Sequence, residues 1–131
     1  MPLLLGPMPI SVRKAVSELV QSAREASAKS NHEFIGHCLW GGPGGFDYID
    51  ANGEVWAQYL WCDSLEHIPD GPRKVEAIAI AAKRTPELAA WLPRRPSSAV
   101  NCSMCSARGW LNVGSHSFLC TACHGMGWVD D

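Results

Sequence analysis

Two copies of one short motif lie eighteen residues apart near the end of this 131-residue chain. Cys102-Ser-Met-Cys105-Ser-Ala107-Arg-Gly109-Trp110-Leu111 repeats as Cys120-Thr-Ala-Cys123-His-Gly125-Met-Gly127-Trp128-Val129. Each copy sets two thiols on a tight turn. Two such turns facing each other put four sulfurs at the corners of a tetrahedron, the geometry that Zn²⁺ takes in structural sites. The loop between the copies is one residue shorter than is usual for such ribbons, which a loop can absorb. Cys102, Cys105, Cys120 and Cys123 are therefore expected to hold one structural Zn²⁺, and metal binding is strong enough to fold a segment too short for a core of its own. The glycines after each second cysteine let the chain turn back so that backbone amides can donate to the thiolates.

A redox use of Cys-x-x-Cys belongs at a helix N-terminus beside a βαβ pattern, and neither copy has that context. His116 and His124 find no vacancy among four thiols and are expected at the surface. The repeat resembles the Cys-x-x-Cys-x-Gly-x-Gly elements of the cysteine-rich zinc domain of DnaJ-type co-chaperones. Cys120 to Gly127 matches in full, and the first copy has Ala107 where that family has Gly. The resemblance covers about a quarter of the chain and no J-domain accompanies it: His67-Ile-Pro69-Asp70 is only a near-miss. It implies zinc ligation by the four cysteines and contact with other proteins.

Ahead of the repeat, periodicity outlines a separate fold. Val12, Val16, Leu19, Val20 and Ala23 recur at helical spacing from Ser11 to about Ser30, with Ser11 as the expected N-cap. Glu33 to Trp40 reads as a strand, Gly41 to Gly45 as a loop without the features of a phosphate cradle, and Phe46 to Asp50 as a second strand. Asn52-Gly53 predicts a two-residue hairpin turn that pairs Ile49 with Trp56, Tyr48 with Ala57 and Phe46 with Tyr59. After Asp70-Gly-Pro72, the small apolar run Val75–Ala82 predicts a helix buried on most sides, and Thr85-Pro86 restarts helical structure with Thr85 as N-cap. Pro93 to Ser98 is a linker. The expected architecture is α+β: a helix, a three-stranded antiparallel meander and further helices over residues 1–96, then a zinc ribbon over 97–131.

Charge is unevenly placed. Glu33, Asp47, Asp50, Glu54, Asp63, Glu66 and Asp70 lie between Asn31 and Pro72 with no Lys or Arg among them, whereas six basic residues fall between Arg73 and Arg95. Compensation within the fold is the plain reading of such runs. The ribbon carries Arg108 against Asp130 and Asp131, and four thiolates around Zn²⁺ add two negative charges, a poor surface for phosphates. A nucleic-acid-associated zinc protein would have to use the 73–95 stretch. Cys62, Asp63 and His67 can be drawn as a nucleophile, acid and base, and His37, Cys38, Cys62 and His67 as a second metal site if the first and third strands adjoin, but both read better as small buried residues and loop. Of six tryptophans, Trp110 and Trp128 are expected to shield the metal, Trp56 and Trp91 to enter the core, and Trp40 and Trp61 to anchor an interface.

The N-terminal leucines lack preceding basic residues and are broken by prolines, unlike an export signal. Paired cysteines without such a signal fit a reducing compartment, so a cytoplasmic location is expected. The expected function is that of a non-catalytic, zinc-binding adaptor that contacts another protein, with no membrane or small-molecule partner evident. Thiol redox or chaperone-like activity ranks behind the nucleic-acid alternative.

Overall fold

Valines at three- and four-residue intervals give the first helix, α1 (Ile10–Ser30), one apolar stripe, and Val12, Val16 and Val20 on it are buried. The computed structural model describes residues 3–31, 33–62 and 64–130. Pro9, not Ser11, occupies the N-cap position, and no side chain caps the helix there. Asn31 in the left-handed conformation ends it.

Four strands follow as an antiparallel meander in the order β1 (His37–Gly42), β2 (Gly45–Ile49), β3 (Val55–Tyr59) and β4 (Leu65–Ile68). The expected meander is present and gains β4 at its edge. Helix α2 (Pro72–Ala82) and a 3₁₀ segment (Pro86–Trp91) complete this part. Pro86 starts that segment as expected, but Thr85 makes no side-chain cap. Leu39, Ile49, Val55, Ala57 and Ile68 from the sheet meet the α1 valines, Val75, Ala77, Ile78 and Ala81 of α2, and Leu88 and Trp91 in one core.

The β2–β3 register differs from the expected one by a single residue: Ile49 pairs with Val55, Tyr48 with Trp56 and Phe46 with Gln58. The cause is Asp50. Its backbone accepts from Gly53 N, and its Oδ1 accepts from Asn52 N at 2.9 Å and Glu54 N at 3.0 Å. These bonds close a three-residue loop with Gly53 at φ 82°, not a two-residue turn. Because side chains alternate along a strand, the slip moves Val55 into the core and turns Trp56 outward. Trp56 then donates through Nε1 to Asp50 Oδ2 at 3.0 Å.

The N-terminal arm is laid into the fold. Leu5 is buried and its amide donates to Asp70 Oδ1, Trp91 Nε1 donates to Gly6 O, and Met8 packs against the core. Among the described residues no helix is long and apolar enough to cross a membrane.

Replacing Asp50 with Ala leaves two loop amides and the Trp56 indole without their acceptor. A loss of about 2 to 3 kcal/mol is expected, measurable as a lower denaturation midpoint with an unchanged denaturant slope.

Candidate metal centre

The C-terminal residues form two small two-stranded sheets, and their pairing explains the eighteen-residue spacing. β5 (Val100–Asn101) pairs with β8 (Trp128–Val129), and β6 (Trp110–Val113) pairs with β7 (His116–Leu119). The strand leading into each Cys-x-x-Cys turn thus pairs with the strand leaving the other. The cross-links are reciprocal: Cys102 N donates to Gly127 O at 2.9 Å, and Cys120 N donates to Gly109 O at 3.0 Å.

Within each turn the chain folds back in the same way. Ala107 N donates to Cys102 O and Gly125 N to Cys120 O, both at 3.0 Å. Gly109 N then donates to Cys105 Sγ at 3.1 Å, and Gly127 N to Cys123 Sγ at 3.2 Å. Both glycines have positive φ, and a Cβ on Gly109 would overlap the Gly125 carbonyl, as one on Gly127 would overlap that of Ala107. The two turns are interlocked at their backbones, so glycine is required at both positions.

The interlock brings Cys102, Cys105, Cys120 and Cys123 together, all buried, with their sulfurs within 4.8 Å of one another. Cys102 and Cys120 sulfurs are 3.9 Å apart and those of Cys105 and Cys123 are 3.7 Å apart, and all four cysteines are free thiols. Burial opposes charge on Cys105, but the Gly109 amide and the neighbouring thiols bring its pKa down to about 7. Burial pushes Cys123 up to about 12, against the Gly127 amide. Four thiolates this close repel one another, and a cation among them removes the repulsion. The cluster could hold a metal ion.

Leu111 and Val129 cover the cluster. Trp110 and Trp128, expected there, precede them on strands whose side chains alternate, and so face elsewhere. The Lys83 ammonium lies 3.6 Å from the centroid of the Trp110 ring. Trp128 lines a 470 Å³ crevice with Leu3, Leu4, Pro93 and Arg94.

The second turn docks on α2 and the first does not. His124 Nδ1 lies 2.6 Å from Glu76 Oε2, so His124 is half-buried in that contact, not a free surface residue. A Cβ on Gly125 would press on Leu119 and Ala79, and Met126 packs against the main core. Ala107, its counterpart, is exposed at φ 67°. The departure from the repeat at Ala107 therefore falls where no neighbour demands glycine.

The other sequence candidates are dispersed. β1 and β3 are separated by β2, so His37 and Cys38 stand apart from Cys62 and His67, and the four thiols are the one metal-like cluster among the described residues. His67 Nε2 is 2.7 Å from Glu54 Oε2, while Cys62 lies beside Ser64. Asp63 lies outside the described residues. Cys38 is exposed and Cys62 half-buried. Trp61 is 74 % exposed and stacks on Tyr59, and Trp40 is 38 % exposed.

Five of the six basic residues from Arg73 to Arg95 are engaged. Arg73 donates to buried Asp47, Arg84 to Leu39 O, and Arg95 to Asn101 and Ala99, while Lys74 and Lys83 lie over Trp91 and Trp110. No family model, curated protein or solved structure matches this chain.

Ala107→Gly relieves a left-handed alanine and is expected to stabilise the protein by about 1 kcal/mol. Gly109→Ala adds both strain and a backbone clash and should cost about 2 kcal/mol or more. Thermal melts of the two variants would show shifts of opposite sign.

Proposed function

We propose that this protein is a non-catalytic adaptor whose C-terminal module is built around one structural Zn²⁺ held by Cys102, Cys105, Cys120 and Cys123. The observation that carries the reading is the sulfur geometry. Zinc–thiolate bonds of about 2.3 Å in a tetrahedron imply sulfur–sulfur edges of about 3.8 Å; two of the four cross-copy distances are 3.9 and 3.7 Å, and all four sulfurs lie within 4.8 Å of one another. Thiolate softness and a closed set of four ligands favour Zn²⁺ in a structural role over an open catalytic site. The amides of Gly109 and Gly127 supply the outer hydrogen bonds that orient such ligands. The likeness of the repeat to DnaJ-type zinc modules points the same way.

Contact with another protein is supported by exposed aromatic surface at Trp61 and Trp40 beside an acidic sheet segment. A nucleic-acid role draws less support, because most of the basic stretch is already committed to internal contacts and the module itself is acidic once metallated. A reducing, cytoplasmic setting suits four unoxidised metal-binding thiols.

Elemental analysis of the purified protein is expected to give one zinc per chain, with Cys38 and Cys62 reacting with a thiol reagent at once and the other four only after chelation. A metal-free protein with a Cys102–Cys105 or Cys120–Cys123 disulfide would refute the reading. Chelation should also lower the melting temperature, since a bound metal contributes folding free energy. Trp61→Ala is expected to weaken a partner complex without lowering the melting temperature, and a drop in melting temperature would assign Trp61 to the fold instead.

A further inference from the structure

The helices pack on one face of the four-stranded sheet, and among the described residues no helix or strand covers the opposite face. Phe46, Tyr48, Trp56 and His67 stand together on it by register. The Phe46 and Tyr48 rings are 6.3 Å apart, and Trp56 meets His67 edge-on at 5.0 Å. A sheet face that meets only water ordinarily carries polar residues. This one presents three aromatic rings that are only half-buried.

Rings on an open sheet are a platform for two kinds of ligand, unstacked bases and cations. Charge decides between them. The segment from Asn31 to Pro72 contains no Lys or Arg. The Asp50 and Glu54 carboxylates are fixed at the edge of the platform, against Trp56 Nε1 and His67 Nε2. The Arg73 and Arg84 guanidinium groups are engaged elsewhere, Arg73 on Asp47 of the buried face and Arg84 on Leu39 O. Polyphosphate is repelled by such a rim. A second copy meeting face to face would bring like carboxylates together.

We propose that this open face is a docking surface for an extended, Lys- or Arg-bearing segment of another protein, with its cations over Tyr48 and Trp56 and paired to Asp50 and Glu54. The proposal rests on the adaptor reading and names the chemistry of the partner.

The test is a fluorescence-anisotropy titration of the metal-loaded full chain with three labelled probes: a short Arg/Gly peptide, a Glu/Gly peptide of equal length, and a single-stranded oligonucleotide. The Arg/Gly peptide is expected to bind best and to weaken with added salt. Tyr48→Ala and Glu54→Gln should each weaken it about two- to fivefold, the scale of one exposed cation–π contact or one surface charge pair. Tyr48→Phe should retain binding, and unchanged melting temperatures and zinc content would show that these variants fold. Equal affinity in Tyr48→Ala, or tighter binding of the oligonucleotide or the acidic peptide, overturns the proposal. Peptide binding lost instead in Met104→Ser or Val113→Ser, both exposed on the C-terminal module, overturns this docking surface and leaves the adaptor reading intact. No binding of any probe by the zinc-loaded chain overturns the docking surface alone, and a protein that purifies metal-free and disulfide-bonded overturns the reading beneath it as well.

Discussion

Close approach of two backbones at Gly109 and Gly127 governs the C-terminal module of this protein. Each turn's glycine lies against the other turn's carbonyl, and each turn's first cysteine amide is bonded to the other's glycine carbonyl. Each turn closes on itself through its own amides and is tied to the other by one backbone bond in each direction. The four thiols converge as a consequence of that interlock, and burying them so close creates the electrostatic demand for a cation. The proposed Zn²⁺ answers a geometry already written into the backbone.

Helix α2 carries this arrangement to the rest of the fold. Its small residues leave room on two sides: Val75, Ala77, Ile78 and Ala81 are in the main core, and Ala79 lies against Gly125 of the second metal-binding turn. Glu76 and Lys83 add polar contacts to His124 and Trp110. Because one turn docks and the other does not, an internally symmetric module ends up with one fixed side and one exposed side. That asymmetry explains why the repeat keeps Gly125 and relaxes to Ala107.

The same economy marks the charges. Arg73 joins the acidic and basic runs by its ion pair with Asp47, the one Arg or Lys salt bridge among the described residues. The remaining basic side chains mostly lie on carbonyls or aromatic rings, which leaves the aromatic open face of the sheet with carboxylates, Asp50 and Glu54, at its edge. The proposed preference for cationic partners over phosphates rests on that edge and on the absence of Lys and Arg from Asn31 to Pro72.

Local chemistry made much of this legible in the sequence. Repeat spacing identifies the four thiols, because a tetrahedral site needs two paired turns and little else. Helical periodicity gives α1 and α2, and the β-rich run between them gives the meander. Tertiary structure decided the rest. The side chain of Asp50 captured two loop amides and shifted the hairpin by one residue, reversing the faces of Val55 and Trp56; Asp50 and Gly53 favour that three-residue loop as Asn52-Gly53 favours a two-residue one, and the tertiary contacts chose between them. Strand alternation put Leu111 and Val129, not the tryptophans, over the thiols. The N-terminal arm found its place only because Asp70, Gly53 and Trp91, distant in sequence, converge to receive it. Sequence fixes what a residue can bond to; which partner it meets depends on chain segments brought together by folding, and local pattern carries no record of them.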